Sequence, residues 1–261
     1  MKSSLVGIFR KLIFPRLAQI NKLDFRSTYP KLLKSLNQVH GEKQAMSLAV
    51  GGEFEAMGFL ELETLKLFGL KEQFYVIDAG CGSGRLTKWI SQYLTGMYLG
   101  IDIVPELVEH ARKISGKPSW RFEVAQGLSI PEEDSVADMV CFFSVFTHLL
   151  HEQTYVYLKE AKRVLKPGGK IIFSFLDFTI PTHWSVFESN IKDLGIESHP
   201  LNIFISKDAI EIWAARLGLQ IQTIQDGNRP YVPLSRAVTF ENGSVVENLG
   251  TIGQSVCVLI K

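Results

Sequence analysis

A glycine-rich loop between a buried strand and a helix constrains this chain more than any other feature. An apolar run at residues 74–77 predicts a buried strand, and it leads into Asp78 and three alternating glycines, Gly80, Gly82 and Gly84. The apolar residues that follow recur at helical spacing. Such a unit brings backbone N–H groups to a ligand at the amino end of the helix. It therefore predicts an α/β protein with a binding site at this loop.

The spacing of the loop separates two cofactor classes. A dinucleotide fingerprint places its third glycine where this chain has Arg85, so the pattern here is D-x-G-x-G-x-G instead. The next predicted strand, residues 97–101, leads into Asp102. An acid at the end of the second strand suits the hydroxyl pair of a ribose.

The loop resembles the first motif of the class I S-adenosylmethionine-dependent methyltransferases, D-x-G-C-G-x-G. All of its fixed positions match, at Asp78, Gly80, Cys81, Gly82 and Gly84. Two later stretches, VADMVCFFSVFTHL and LKEAKRVLKPGGKIIFSF, look like the fourth and fifth strands, with their neighbouring elements, of the small-molecule, type 11-like branch. The resemblance implies that S-adenosyl-L-methionine is the cofactor and that a methyl group is transferred by direct displacement.

Strands and helices alternate through the middle of the chain, which predicts a sheet wound on both faces. Together with the resemblance, this predicts an α/β, Rossmann-like, doubly wound seven-stranded sheet, mostly parallel with an antiparallel last strand, plus an N-terminal helical extension. We expect a basic helical arm at residues 1–45 and a methyltransferase domain at 46–261. Its expected parts are a core at 74–176, an irregular acceptor or lid region at 177–205, and an insertion with a hairpin at 226–253.

The resemblance also assigns contacts to the nucleoside. The glycine loop holds the methionine carboxylate and the sugar, Asp102 accepts hydrogen bonds from both ribose hydroxyls, and Ile103 packs on the adenine. Gln126 and Gly127 meet the adenine edge. Many relatives have an aspartate where this chain has Gln126, and a glutamine amide can still meet that edge.

Two further cofactor contacts are expected outside these motifs. Ser144 follows the fourth strand and lies at the carboxyl end of the sheet, where ligands bind in such folds. Gly52 belongs to a glycine pair that precedes a helix, and in this family such a helix often covers the cofactor. The alternative for Gly52 is a plain turn.

Several residues after strands four and five are candidates for acceptor chemistry. If the acceptor is a hydroxyl, His148 is the first choice for the base, because an imidazole titrates near neutrality; the alternative is a packing or capping role. Asp177 is a second base or a substrate anchor, or else a loop carboxylate. His183 and Trp184 either line an acceptor pocket or form lid surface. His151 is expected to be the solvated first residue of a helix.

The chain lacks the signatures of several acceptor classes. Amide or exocyclic-amine methylation usually shows [DN]-P-P-[YFW] after strand four, and cytosine C5 methylation needs a Pro-Cys pair, whereas residues 143–146 read Phe-Ser-Val-Phe. The net charge of +1 and the lack of a basic stripe argue against a specific nucleic-acid partner. A small-molecule, lipid or sugar-like acceptor is expected, with the methylated atom undecided. Two other classes stay open: a catalytically silent S-adenosylmethionine-binding interaction module and, less favoured, a nicotinamide-dependent oxidoreductase.

Cysteine usage indicates a reducing compartment. Cys81, Cys141 and Cys257 lie far apart and form neither a zinc spacing nor a disulfide framework, so no metal site is predicted. No apolar run approaches the roughly 20 residues of a membrane span. The expected location is the cytoplasm.

The amino-terminal arm carries an unusual charge. Residues 1–34 contain eight Lys or Arg and one acid, Asp24, so they carry +7, while the remainder carries −6. Apolar side chains recur at helical spacing in residues 1–14. The arm is expected to dock on the acidic body of its own chain, to contact a membrane peripherally through residues 1–22, or to bind another partner.

Overall fold

The architecture is built on a sheet of seven strands in a computed structural model, which describes residues 25–192 and 202–261. The strands are β1 (Val76–Ala79), β2 (Tyr98–Asp102), β3 (Arg121–Val124), β4 (Ala137–Phe142), β5 (Leu165–Phe175), β6 (Gln220–Gln225), β7 (Val232–Pro233), β8 (Val238–Thr239), β9 (Val245–Val246), β10 (Leu249–Gly250) and β11 (Ser255–Ile260). The order in the main sheet is β3-β2-β1-β4-β5-β11-β6. In this sheet β11 pairs antiparallel with both β5 and β6, and all other pairs are parallel. The predicted doubly wound sheet with an antiparallel last strand is confirmed.

Helices lie between the strands and before the first one. Within the described residues they are α1 (Phe25–His40), α2 (Glu42–Leu48), α3 (Phe54–Leu67), α4 (Arg85–Tyr93), α5 (Pro105–Ser115), α6 (His151–Val164), α7 (Pro181–Lys192) and α8 (Lys207–Leu217). The strand order reverses between β1 and β4, because successive strands are added on opposite sides of β1. Such a switch point opens a crevice at the carboxyl ends of the strands, which is where ligands bind in this architecture.

The two central strands are buried on both faces. In β1, Ile77 packs into one apolar layer and Val76 into the other. In β4, Val140 and Met139 divide in the same way. Alternate side chains point to opposite faces of a strand, and helices cover both faces, so these strands read as continuous apolar runs.

The amino-terminal helices are packed against the body of the fold. Leu33 of α1 and Met46 of α2 are buried together with Val104 and Leu107, which lie just beyond β2. The turn after β2 is therefore covered by a part of the chain that precedes the first strand. The expected helical extension is confirmed for residues 25–48.

One structural expectation is wrong. The segment after β5 was expected to be irregular, but residues 181–192 form the helix α7. Trp184, Phe187 and Ile191 of α7 recur at helical spacing, but only His183 of this helix is buried, so its apolar side chains are not packed into a core.

The segment between β6 and β11 forms two small antiparallel ladders. Strands β8 and β9 make the expected hairpin, with Asn242-Gly243 in its turn and Gly243 at φ +83°. Strands β7 and β10 pair beside it, and a Cβ on Gly250 would lie 2.6 Å from Leu60 of α3. This insertion therefore packs closely on α3.

The basic arm is described only in part. Residues 1–22, for which lipid contact is one alternative, lie outside the described residues. Among the helices that the structure describes, none is long and apolar enough to cross a membrane.

Candidate functional site

A cavity of about 550 Å³ lies at the switch point of the sheet. It is bounded by the glycine loop after β1, the turn after β2, the loop after β4 and residues of α1 to α3. The predicted site residues that line it are Asp78, Gly80, Cys81, Gly82, Asp102, Ile103, Ser144 and His148. Residues far apart in the sequence thus surround one space.

The glycine loop owes its shape to missing side chains. Gly80 and Gly82 have φ values of +87° and +53°, which favour glycine. A Cβ on Gly80 would collide with Val145, and one on Gly82 would lie 2.6 Å from a valine that follows α2. Gly84 serves another purpose: its Cβ would lie 2.8 Å from the backbone of Ala111, so it lets α4 approach α5 and does not line the cavity.

The carboxylate of Asp102 is fixed at the edge of the cavity by two backbone groups. The N–H of Gly82 donates to Oδ2 and the N–H of Val104 donates to Oδ1, each at 3.0 Å. Burial raises the pKa of Asp102, while these N–H groups oppose that shift. Each carboxylate oxygen has a further lone pair, so the group can still accept hydrogen bonds from a diol.

Asp78 is a buried acid with few polar partners. The hydroxyl of Tyr98 donates to it at 2.6 Å, and the thiol of Cys141 lies 3.6 Å from its other oxygen. Burial raises the pKa of Asp78 to about 7, and these hydrogen bonds only partly offset the effect of burial. A cation brought against this carboxylate would favour its charged form.

A buried ion pair at the cavity was not predicted from the sequence. Glu61 of α3 is 2% exposed and pairs with Arg85, the first residue of α4. Arg85 also donates through Nη1 to the carbonyl of Val50 at 2.7 Å. Burial raises the pKa of Glu61, and the guanidinium of Arg85 opposes this shift. An acid inside the apolar run of α3 was the available signal, since lone buried charges are rare.

His148 lies at the cavity and is held by a residue from α1. The hydroxyl oxygen of Tyr29 is 2.9 Å from Nε2 of His148, and the two rings meet edge to face. Nδ1 of His148 is buried and has no hydrogen-bond partner among the described residues. Burial lowers the pKa of His148 to about 4, so its imidazole is neutral at pH 7.

A ring of hydrogen bonds links the loop after β4 to the strand β11. The backbone N–H of Ser144 donates to Oγ of Ser174 at 2.7 Å, and Ser174 donates to Oε1 of Gln254 at 2.7 Å. Nε2 of Gln254 then donates to Oγ of Ser144 at 3.0 Å. Ser144 and Gln254 line the cavity, whereas Ser174 is fully buried.

The structure does not bring the predicted adenine-edge residues to the cavity. Ala125 donates its N–H to the carbonyl of Asp102 at 2.8 Å and lines the cavity. The next residue, Gln126, does not line it. Gln126 is exposed, and the carbonyl of Gly127 accepts a hydrogen bond from Tyr157 at 3.2 Å.

Gly52 also lies beside the cavity rather than on it. Its neighbours Gly51 and Glu53 line the space, whereas Gly52 is buried and donates its N–H to the carbonyl of Ser47 at 2.9 Å. The contacts of Gly52 in the structure are therefore those of a turn, the alternative weighed from the sequence.

Asp177, predicted as a second base, is buried away from the cavity. Its Oδ1 accepts hydrogen bonds from the backbone and hydroxyl of Thr179, both at 2.9 Å, and Lys207 lies 3.5 Å from Oδ2. His183 is 2% exposed and accepts the N–H of Asp177 through Nδ1, while its Nε2 contacts the carbonyl of Gly253 at 2.9 Å. These residues fix the start of α7 and offer no group to a ligand in the cavity.

Trp184 and His151 lie on the outside of the fold. Trp184 is 44% exposed and packs on Phe187 within α7. His151 begins α6 and is exposed as expected, and its Nε2 contacts the carbonyl of Phe204 at 2.9 Å. Neither residue lines the cavity.

The groups around the cavity fit S-adenosylmethionine. The acids Asp78 and Glu61 suit its cationic centres, and Asp102 suits the ribose diol. The glycine loop presents bare backbone beside these acids, because side chains on Gly80 and Gly82 would collide with their neighbours. The described residues contain no group of three potential ligands that could hold a metal ion.

Comparison with known proteins gives the same class. Residues 77–173 match a family model described as a methyltransferase domain. An uncharacterized methyltransferase of Schizosaccharomyces pombe is 30% identical over 139 residues, 52% of each chain. The chloroplastic tocopherol O-methyltransferase of Arabidopsis thaliana is 28% identical over 138 residues, 49% of this chain and 39% of that protein. The chain spans about half, or less, of the length of these curated relatives.

Solved structures share the whole fold. Magnesium protoporphyrin IX methyltransferase from Synechocystis, solved with bound SAH, superposes with a TM-score of 0.56 at 14% identity, over 93% of this chain and 98% of that chain. Fold and site thus define a Rossmann-like methyltransferase architecture. Residues 77–173 match the methyltransferase domain family, and the chain has the fold of the class I S-adenosylmethionine-dependent methyltransferases. The cofactor that the family implies is S-adenosylmethionine.

Proposed function

We propose that this protein transfers a methyl group from S-adenosylmethionine to a small-molecule acceptor by direct displacement. One observation carries the proposal: a single cavity joins the glycine loop and Asp102 to the neutral imidazole of His148. The bound cofactor would supply the activated methyl group. The protein then has to orient the acceptor, remove its proton and keep water out.

Residues at the carboxyl ends of β1 and β2 would form the part of the site that binds the cofactor. The carboxylates of Asp78 and Asp102 and the backbone at Gly80 and Gly82 would hold the cofactor, with Ile103 against its apolar face. Cys81 is buried in the same loop and lines the cavity. Burial makes both acids hard to charge in the free protein, so a cationic ligand would be favoured there.

The acceptor is proposed to be a hydroxyl. The tocopherol and ubiquinone enzymes among the relatives are named O-methyltransferases, which supports this chemistry. In that case His148 takes the hydroxyl proton, because its ring is neutral at pH 7 and lines the cavity. Asp177 is not part of this mechanism, because it is buried outside the cavity.

Two measurements test the proposed function. Calorimetry should show binding of S-adenosylmethionine and none of NADH, and Asp102→Ala should weaken the cofactor about 10- to 150-fold, equivalent to about 1.5–3 kcal/mol. Asp102→Asn removes the charge but keeps an oxygen for one of the two backbone N–H groups, so it separates the loss of the carboxylate charge from the loss of the whole side chain. Equal affinity of wild type and Asp102→Ala would contradict the assignment.

The second measurement separates an enzyme from a silent binding module. Labelled S-adenosylmethionine is incubated with the protein and a cell extract or a panel of phenols, and transfer of the label is followed. We expect transfer that His148→Ala lowers about 10²–10⁴-fold without changing cofactor affinity. Binding of the cofactor with no transfer in any extract would favour the interaction module.

We also propose a cytoplasmic location for the protein and a membrane contact for its basic amino-terminal arm. All three cysteines are free and buried, which supports the reducing, cytoplasmic setting expected from the sequence. The charge of +7 in residues 1–34 supports peripheral contact of the arm with an anionic membrane.

A further inference from the structure

The ring of Ser144, Ser174 and Gln254 has no role in the function proposed so far. Gln254 lies next to β11, and Ser144 follows β4, so the ring joins two parts of the chain that are 110 residues apart. Both residues line the cavity, and Gln254 is outside the segment that matches the family model.

The hydrogen bonds of this ring run in one consistent direction. The backbone N–H of Ser144 can only donate, and it donates to Oγ of Ser174, whose hydroxyl donates to Oε1 of Gln254. The amide of Gln254 is thereby oriented, and its nitrogen donates to Oγ of Ser144. The ring consumes an acceptor site on Ser144 but leaves the hydroxyl hydrogen of Ser144 and the second amide hydrogen of Gln254 for another partner.

The backbone at Ser144 is held in an unfavourable conformation. Its φ is +58°, a left-handed conformation that is strained for a residue other than glycine. The fully buried Ser174 fixes this conformation through the backbone N–H of Ser144. Backbone held in this way is commonly found at ligand-binding sites, where it aims a side chain.

The sheet order places this ring on the side of the cavity away from the ribose acid. From β2, which ends in Asp102, to β11 there are four strand spacings of roughly 4.8 Å each, or about 19 Å. The ring is thus closer to the β4 loop that carries His148 than to the nucleoside end. Ser144 is expected from the sequence to touch the cofactor, and in the structure its hydroxyl lines the cavity and accepts a hydrogen bond from Gln254 beside β11.

The charges around the cavity limit what the two free hydrogens can bind. The charged side chains that line it are the acids Glu53, Glu61, Asp78 and Asp102 and a single cation, Arg85, within the described residues. Arg85 is already paired with Glu61. An anionic acceptor would therefore be repelled, whereas a neutral oxygen would be accepted.

We propose that Ser144 and Gln254 form a pair of donors that binds a neutral oxygen of the acceptor, either a carbonyl or a hydroxyl oxygen, next to the hydroxyl that is methylated. The proposal rests on the proposed function and deepens it: the acceptor is an uncharged molecule with two oxygens, of the catechol or hydroxy-ketone type. Sites that donate hydrogen bonds to a substrate oxygen discriminate strongly against analogues that lack it.

The test measures binding and turnover separately. Catechol, phenol and benzoate are titrated into protein loaded with S-adenosylhomocysteine, and their methylation is followed with S-adenosylmethionine. The wild type should bind catechol at least about tenfold more tightly than phenol and should reject benzoate. No preference for catechol over phenol, or preference for benzoate, overturns the proposal.

Variants assign the preference to the ring. Ser144→Gly removes the hydroxyl and relieves the positive φ, and Gln254→Met removes the amide at similar volume. Both should lose the preference for catechol while the affinity for S-adenosylhomocysteine stays within about twofold of the wild type. A preserved preference, or a loss of cofactor affinity instead, contradicts the proposal. If catechol binds with this preference but no acceptor is methylated, the proposed function fails while the donor pair stands.

Discussion

The hydroxyl of Tyr29 and Nε2 of His148 lie 2.9 Å apart, although 119 residues separate them in the sequence. Tyr29 belongs to α1, which precedes the methyltransferase domain, and His148 belongs to the loop after β4. Both side chains line the cavity. The helix α1 is thus linked by a hydrogen bond to the proposed base.

Removing the hydrogen bond between Tyr29 and His148 should lower both the activity and the stability of the protein. In Tyr29→Phe the ring still packs, but Nε2 of His148 loses its partner, at a cost to unfolding free energy of about 1 kcal/mol. We expect kcat to fall about 3- to 30-fold, because the imidazole is no longer held in one orientation. Tyr93→Phe is the matched control, since it loses a hydrogen bond of 3.2 Å to Leu70 outside the cavity. Equal loss of kcat in both variants would contradict an orienting role.

Burial of His148 should make the protein sensitive to acid. Its pKa falls from 6.5 to about 4 on folding, so below pH 6.5 the unfolded chain takes up a proton that the folded chain refuses. The contribution of His148 to stability is therefore full above pH 6.5 and is lost as the pH falls toward 4, by about 3 kcal/mol in all. Chemical unfolding of wild type and His148→Gln between pH 4 and 7.5 checks this.

The variant should show a flatter stability profile over that range. His40→Gln is the control, because His40 is exposed at the end of α1. If the slopes for wild type and His148→Gln coincide, the ring is not buried as a neutral group.

Cofactor binding should be linked to a proton on Asp78. Burial raises its pKa from 3.8 to about 7, so below pH 7 the free protein carries a proton there. A cationic ligand favours the carboxylate, so affinity should rise up to about tenfold per pH unit below pH 7 and level off above pH 8. Calorimetry in buffers of different ionisation enthalpy measures the proton released.

Asp78→Asn is the discriminating variant for this linkage. It should bind the cofactor more weakly and with little dependence on pH. Tyr98→Phe, which removes the hydroxyl that donates at 2.6 Å, should raise the pKa of Asp78 and move the profile to higher pH. An unchanged slope in Asp78→Asn would assign the proton to another group.

The basic arm can be tested by truncation. The full chain and a chain lacking residues 1–22 are sedimented with anionic and with neutral vesicles. Each basic residue near an anionic surface contributes about 1 kcal/mol, so only the full chain should sediment, and only with anionic vesicles. Negligible binding of both chains rejects membrane contact, and a lower melting temperature of the truncated chain would then favour docking on its own body.

The sequence could predict those parts of the site that depend on apolar runs and residue spacing within a short segment. The buried strands β1 and β4 are apolar runs, and Asp78, Gly80 and Gly82 stand at fixed spacing after the first of them. Asp102 follows from the end of the next strand. These residues line the cavity because the carboxyl ends of parallel strands meet at one edge of the sheet.

The other parts depend on contacts that no local pattern encodes. Tyr29, Glu61 and Gln254 reach the cavity from elements outside the domain that matches the family model, and only tertiary packing brings them there. Asp177 and His183 show the converse case, because their residue types predict a place at the site but neither lines the cavity. Their polar atoms are instead occupied by backbone and neighbouring groups at the start of α7.

The docking of α1 has a consequence for how the chain folds as it is synthesised. Ribosomes release α1 before any strand of the sheet, yet Leu33 packs against Val104 and Leu107, and Tyr29 bonds to His148. Leu33 must therefore wait for about 70 later residues, and Tyr29 for 119, before these contacts can form. Until then α1 can pack only on the neighbouring helix α2, so the cavity closes late, after the sheet is assembled. We expect proteases to cleave α1 in nascent chains that end before residue 148. In longer chains α1 should be protected.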